Sequence, residues 1–208
     1  MTRDRDRDYW QRHASKYDAT LGPLGKPLPR MLELVGQAAR GRARVLEVAA
    51  GTGLVTPVLA RSSAAVVATD YAPRMVERLR DKITDLGLGN VECRQADIYD
   101  LPFEPASFDA VVAANVLHIV PNLDAALSSL TRVLKPDGIF IAPTFCHDET
   151  RLSWLVSRLL ALTGFPGHRR FTVASLRAAL ERAGVAVNRC EALPGLLPIG
   201  YVDGPAAG

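Results

Sequence analysis

At 208 residues and 48% hydrophobic content, the chain can bury a core of its own and is expected to form a single domain over 1–208. Its 25 basic and 22 acidic residues are scattered and leave a net charge of only +3, which argues against nucleic acid as a partner. The three cysteines Cys93, Cys146 and Cys190 are odd in number and far apart, which argues against a disulfide framework or a bound metal and suits a cytoplasmic protein. The start, Met1 to Asp8, alternates charge and lacks the apolar core of a signal peptide, and no run is long enough for an integral membrane segment.

In chain order, Tyr9 to Tyr17 reads as a short amphipathic helix, followed by a Gly/Pro-rich loop from Leu21 to Pro27 and a helix from about Pro29 to Ala39. Val45 to Val48 is an apolar run carrying one carboxylate, Glu47. It reads as a buried parallel strand that breaks into Ala49-Ala50-Gly51-Thr52-Gly53, where small residues let the backbone approach a nucleoside closely. Thr56-Pro57 suits a helix start. A second apolar run, Ala64 to Thr69, ends at Asp70, one βαβ step on, where a carboxylate suits the hydroxyls of a ribose.

The next helix, from Ala72, places Met75, Val76, Leu79 and Ile83 on one face. A third strand, Val91 to Ala96, stops at Asp97, and a fourth, Phe108 to Ala114, stops at Asn115. A helix over Leu123 to Leu134 leads through a Lys135-Pro136-Asp137-Gly138 turn to a fifth strand, Ile139 to Ala142. This alternation predicts an α/β doubly wound, mostly parallel sheet with helices on both faces, whose ligands lie beyond the carboxyl ends of the strands.

The last third differs in texture. It offers a helix around Leu152 to Leu162, a Gly/Pro break at Gly164 to Gly167, a basic group at His168-Arg169-Arg170, and a helix from Val173 to Ala183. Two closing strands, Val185 to Cys190 and Leu197 to Val202, bring the expected sheet to seven, with Pro198 marking an edge or bulged strand. The Leu152 to Leu162 run is too apolar for one narrow stripe, so it either packs into its neighbours or covers a substrate pocket.

The order and spacing of Glu47 to Gly53, Asp70, Gln95-Ala96-Asp97, Phe108-Asp109 and Leu134 to Gly138 resemble a class I S-adenosylmethionine-dependent methyltransferase, over roughly Tyr9 to Tyr201. Phe103 to Phe108 and the Tyr17-Asp18 pair are similar to the ubiquinone/menaquinone branch of small-molecule members. The resemblance implies a Rossmann-like sheet and S-adenosylmethionine as cofactor, released as S-adenosylhomocysteine. It further implies a cofactor site of Glu47, Ala49, Gly51, Thr52, Gly53, Asp70, Tyr71, Met75, Asp97, Ile98, Asn115 and Val116. Within it, Asp70 would accept from the ribose, Asp97 would approach the adenine amine, Met75 and Ile98 would pack the adenine, and Asn115 and Val116 would border the methionine. Residues 1–28 would form an N-terminal helix and lid including Tyr17, and 147–171 a substrate-covering insertion. Ala49 stands where the family has its first glycine, a departure that is tolerable with ordinary torsions.

The chemistry of the residues agrees with that cofactor. S-adenosylmethionine carries a sulfonium and an ammonium but no phosphate, so its site needs carboxylates and carbonyls, and Glu47, Asp70 and Asp97 supply that sign of charge. A dinucleotide site would want a packing glycine where Thr56 stands. Methyl transfer is an in-line displacement in which orientation can contribute roughly 7–11 kcal/mol. A base adds to this only if the acceptor must lose a proton, and His118, then His147, are the candidates, each with a plain structural alternative.

The fourth strand lacks the Pro-Pro-aromatic ending of nucleic-acid amino methyltransferases, and no Pro-Cys dipeptide is present. A small, fairly apolar metabolite is therefore the expected acceptor, and a homodimer is compatible with the sequence. Two alternatives stand beside this. One is methylation of a lipid headgroup or quinone precursor at a membrane surface, using Leu152 to Leu162. The other is a catalytically silent S-adenosylmethionine-binding interaction module.

Overall fold

The computed structural model describes residues 2–13, 25–161 and 167–207. Tyr17, Leu162 and the 164–166 part of the expected Gly/Pro break lie outside them. The elements are α1 (Thr2–His13), α2 (Leu28–Ala39), β1 (Arg44–Glu47), α3 (Thr56–Ser62), β2 (Ala65–Asp70), α4 (Pro73–Asp85), β3 (Val91–Gln95), β4 (Phe108–Val112), α5 (Leu123–Val133), β5 (Leu134–Ile141), β6 (Thr144–Phe145), α6 (Arg151–Ala161), α7 (Val173–Arg182), β7 (Arg189–Leu193) and β8 (Ile199–Pro205).

Strands β3-β2-β1-β4-β5 run parallel, and β8 pairs antiparallel with β5. The two-residue β6 pairs with the start of β8, while β7 covers β8 along its other side. β6 thus continues the lane of β5, so eight strands occupy seven lanes. The alternation of strand side chains feeds two cores. Leu46, Val67, Val111, Phe140 and Val202 pack with α5 and α7 on one face. Val45, Val66, Ala110, Ile141 and Tyr201 pack with α2, α3 and α4 on the other. On α4 the buried residues are Met75, Val76, Leu79 and Ile83, the face its spacing predicts.

Four local expectations need correction. First, α1 starts at Thr2 rather than Tyr9. The alternating-charge stretch therefore belongs to the helix instead of preceding it. Second, the Lys135 to Gly138 turn is a bulge inside β5. Phe108 pairs with Leu134 but Ala110 with Ile139, so the four residues 135–138 stand opposite the single Asp109 and three extra residues loop out. Asp109 pins that bulge by accepting from Lys135 Nζ at 2.7 Å and from the Arg44 amide at 2.8 Å. Gly138 is required there, since a Cβ would lie 2.9 Å from the Lys135 carbonyl oxygen.

Third, β7 begins at Arg189, and Val185 makes only an isolated bridge to Ala206. The Ala186 and Val187 backbone crosses directly over Gly204 before regular pairing starts. Fourth, β8 is interior rather than an edge, because Pro198 precedes it instead of belonging to it. The missing Pro198 amide therefore costs no ladder bond, and its carbonyl still accepts from the Cys146 amide at 2.8 Å.

Candidate active site

The loops leaving the carboxyl ends of β1 to β4 converge on one pocket with about 930 Å3 of unfilled space, partly open to solvent. After β1 the chain turns through positive φ at Ala49 (51°), Gly51 (58°) and Gly53 (80°). Gly53 has a second reason to be glycine, since a Cβ would meet Leu79 Cδ1 at 2.7 Å. Ala49 therefore does not keep ordinary torsions. A residue with a Cβ occupies left-handed space at a cost of roughly 1–2 kcal/mol, strain of a kind that gathers at functional sites.

Asp70 ties this turn to the next loop. Its Oδ2 accepts from the Gly51 amide and its Oδ1 from the Ala72 amide, both at 2.9 Å. Burial pushes its pKa up to about 6, against the lowering effect of these amides. Asp97, after β3, accepts from the Tyr99 amide at 3.0 Å. Asn115, after β4, also lies at positive φ (53°). Its amide donates to the Pro143 carbonyl at 2.7 Å, and its buried Oδ1 has no hydrogen-bond partner. An unsatisfied buried acceptor on a pocket wall is a costly feature unless a ligand uses it.

Of the expected cofactor residues, Ala49, Gly51, Asp70, Tyr71, Met75, Asp97, Ile98, Asn115 and Val116 line this pocket. Thr52 and Gly53 shape the turn without lining it; Thr52 is buried. Glu47 lies away from the wall, buried, with Oε2 unpartnered. Desolvation raises its pKa to about 8, assisted by Asp70 and opposed by Thr56 and Lys82. Burial thus favours its neutral form, and because it does not line the pocket its charge is not presented there.

His118 and His147 are brought to each other rather than to the pocket wall. Their ring centroids are 5.1 Å apart, and His118 packs edge-on against Phe145. Burial lowers His118 to about 3 and His147 to about 4, with the neighbouring histidine adding to the first and Arg170 to the second. Both imidazoles are neutral at pH 7, and neither lines the pocket in which a base was expected. Tyr17 lies outside the described residues.

Sequence reading missed several wall residues. Trp10 and Arg7 arrive from α1, with Trp10 packed on Ala72 and Met75 and Arg7 placed 5.6 Å from the centre of the Tyr71 ring. Tyr99, Ile119, Val120 and Pro121 complete the apolar side. The i, i+3 spacing of Arg7 and Trp10 on one helix face was the available signal.

The methyltransferase domain family matches residues 46–142, the stretch that builds this pocket. The chain belongs to the class I S-adenosylmethionine-dependent methyltransferases, and its cofactor is S-adenosylmethionine. It is 33% identical over 165 residues to a phosphatidylethanolamine N-methyltransferase from Cereibacter sphaeroides, covering 78% of this chain and 80% of that enzyme. It is 36% identical to the ubiquinone/menaquinone biosynthesis C-methyltransferase UbiE of Teredinibacter turnerae, covering 67% of this chain and 59% of that enzyme. Its fold matches an S-adenosylmethionine-dependent methyltransferase from Aquifex aeolicus with a TM-score of 0.70 at 23% identity, covering 91% of this chain and 97% of that one.

Proposed function

We propose that this pocket holds S-adenosylmethionine and that the enzyme methylates a small, fairly apolar metabolite. The observation that carries this is the pairing of Asp70 and Asp97 on one apolar wall with the unpartnered Asn115 Oδ1. Oxygen acceptors in a desolvated site suit a sulfonium and an ammonium, and their spread over separate strand ends suits a long ligand. Asp70 accepts from the ribose hydroxyls, Asp97 faces the adenine amine, Met75 and Ile98 pack the adenine, and Asn115 and Val116 border the methionine. The Ala49 to Gly53 turn gives that methionine close access to backbone.

The bound cofactor supplies an electrophilic methyl on a good leaving group. What the chain supplies is alignment and exclusion of water, the terms orientation makes large. With His118 and His147 off the pocket wall, an acceptor that is already nucleophilic at neutral pH fits best. Calorimetric titration with S-adenosylmethionine, S-adenosylhomocysteine and NAD tests the cofactor; binding of NAD alone overturns the reading. Turnover on a panel of phenols, amines and quinone precursors tests the acceptor class.

One observation favours a second reading, in which the acceptor is a lipid headgroup or quinone precursor met at a membrane surface. α6 buries its small Ser153 and Ser157 and leaves Leu152 (53% exposed), Leu155 (50%) and Leu159 (58%) outward. The segment packs into its neighbours along one face, through Ser153, Val156, Ser157 and Leu160, and leaves the opposite face outward. The three leucines share one stripe, bordered by the exposed Arg151 and Arg158, and the helix has no acidic residue. That pattern suits an anionic bilayer interface, and no helix among the described residues is long and apolar enough to cross a membrane. Co-sedimentation with phosphatidylglycerol vesicles, lost in Leu155→Gln/Leu159→Gln, separates this reading from the first.

A further inference from the structure

The run from Asn115 to Pro121 that walls the cofactor pocket has a second attachment. The carbonyl of His118 accepts from the amides of His168 and Arg169, at 3.1 and 3.0 Å. Residues 167–170 are thereby fastened to the outside of the pocket wall. Beside them lies a separate, smaller cavity, partly open to solvent and lined by His147, Ser157, Ala161, Gly167, Arg169 and Arg170. His147, which lines this cavity, packs with its ring 5.1 Å from that of His118, whose chain neighbours Val116, Ile119 and Val120 wall the larger pocket.

Arg169 is half-buried in this cavity, and its Nη1 is fully buried without a hydrogen-bond partner. A guanidinium N–H left unsatisfied in a desolvated place costs more than a neutral donor would, so an empty position is a poor end state for it. Arg170 adds a second cation, and no carboxylate lines the cavity among the described residues. The nearby Glu149 is engaged elsewhere, accepting from the Val173 amide at 2.7 Å. Asp148, the carboxylate that acts on His147 from beside the cavity, is exposed and does not line it. Two guanidiniums around a small space lacking any acceptor of matching charge present the planar donors that suit a carboxylate or phosphate.

We propose that Arg169 and Arg170 form an oxyanion subsite for the methyl acceptor, so that the acceptor carries a carboxylate or phosphate remote from the atom that is methylated. This rests on the reading of the larger pocket as the S-adenosylmethionine site. It narrows the substrate class from apolar metabolites in general to apolar acids or phosphate esters. Within the basic triplet the His168 and Arg169 amides anchor the chain, Arg169 carries the buried donor, and His168 and Arg170 remain exposed.

The test uses the full chain loaded with S-adenosylhomocysteine, titrated by NMR with sodium acetate and, separately, with inorganic phosphate. The Arg169 side-chain N–H signal, assigned by its absence in Arg169→Lys, is expected to shift saturably with at least one anion, while that of the exposed Arg182 does not. Read on the backbone amides of His168 and Arg170, which every variant retains, the apparent affinity should weaken at least fivefold in Arg169→Lys and vanish in Arg169→Gln, with S-adenosylhomocysteine affinity held within twofold. Which anion binds more tightly distinguishes a carboxylic acid from a phosphate ester. An Arg169 signal that moves no more than that of Arg182, or a saturable response surviving in Arg169→Gln, overturns the proposal. Should Arg169→Gln lose S-adenosylhomocysteine as well, Arg170→Gln decides: phosphate affinity at least twofold weaker upholds the subsite, and unchanged affinity removes it. Failure of the wild-type chain to bind S-adenosylhomocysteine defeats the parent reading instead, and the anion response is then read on the unloaded chain.

Discussion

The pocket at the ends of β1 to β4 and the cavity lined by His147, Ser157, Arg169 and Arg170 are made of different material. The first is built from backbone: positive φ at Ala49, Gly51 and Asn115, with Asp70 holding two amides in place. The second is built from side chains, two arginines, a pair of histidines and a helix that turns its leucines outward. A cofactor common to many enzymes can be held by turn geometry, whereas an acceptor particular to one enzyme must be recognised by side chains grafted beside it.

The sharpest way to break that contrast is Asp70→Ala. It removes the proposed ribose acceptor and orphans the Gly51 and Ala72 amides, so affinity for S-adenosylhomocysteine should fall at least about 30-fold, roughly 2 kcal/mol. Calorimetry reads this directly, and Arg169→Gln, in the other region, should leave that affinity unchanged. Equal losses in both variants would dissolve the distinction between the two regions.

Next comes pH. Glu47 has a folded pKa raised to about 8, so the native state holds a proton that the unfolded chain has released above about pH 4.5. Its contribution to stability is full at low pH and is lost as pH rises towards 8, by roughly 1 kcal/mol between pH 7 and 8. Asp70, raised to about 6, acts in the same direction at lower pH. His118 and His147 act oppositely. Their folded pKa values are depressed, so their contribution is present above about pH 6.5 and is lost as pH falls towards 4. Urea unfolding of the apoprotein should therefore show lower stability at pH 8 than at pH 7, a decline that Glu47→Gln removes.

Ala49→Gly should relieve the left-handed strain and, after the entropy glycine adds to the unfolded chain, raise stability by about 0.5–1 kcal/mol, or about 1–4 °C in Tm. A drop in Tm would show that the turn is not strained. The smallest effect is expected at α6, where Leu155→Gln/Leu159→Gln should change stability by no more than about 0.5 kcal/mol because both side chains are already exposed. A loss of several kcal/mol would mean that this face is covered in solution.

The cofactor half was readable because its constraints are local. Small residues after an apolar run, a carboxylate closing the next strand and the α4 stripe at Met75, Val76, Leu79 and Ile83 each state their own geometry. What could not be read was whatever depended on a distant partner. The protonated state of Glu47 comes from burial beneath the turn, and the mutual contact of His118 and His147 comes from two strand ends meeting. The interior place of β8 depends on β7 arriving from beyond α7, and the bulge at Lys135 to Gly138 depends on Asp109 in β4. In α6 the composition predicted apolar contact, but only the fold shows that Ser153, Val156, Ser157 and Leu160 face inward while Leu152, Leu155 and Leu159 face outward.

A crystal structure of the chain with S-adenosylhomocysteine tests the central claim most directly. The ribose hydroxyls should lie on Asp70, the adenine between Met75 and Ile98, and the amino acid end between the Ala49 to Gly53 turn and Asn115. A ligand bound elsewhere, or one bound here with its ribose turned away from Asp70, would contradict it.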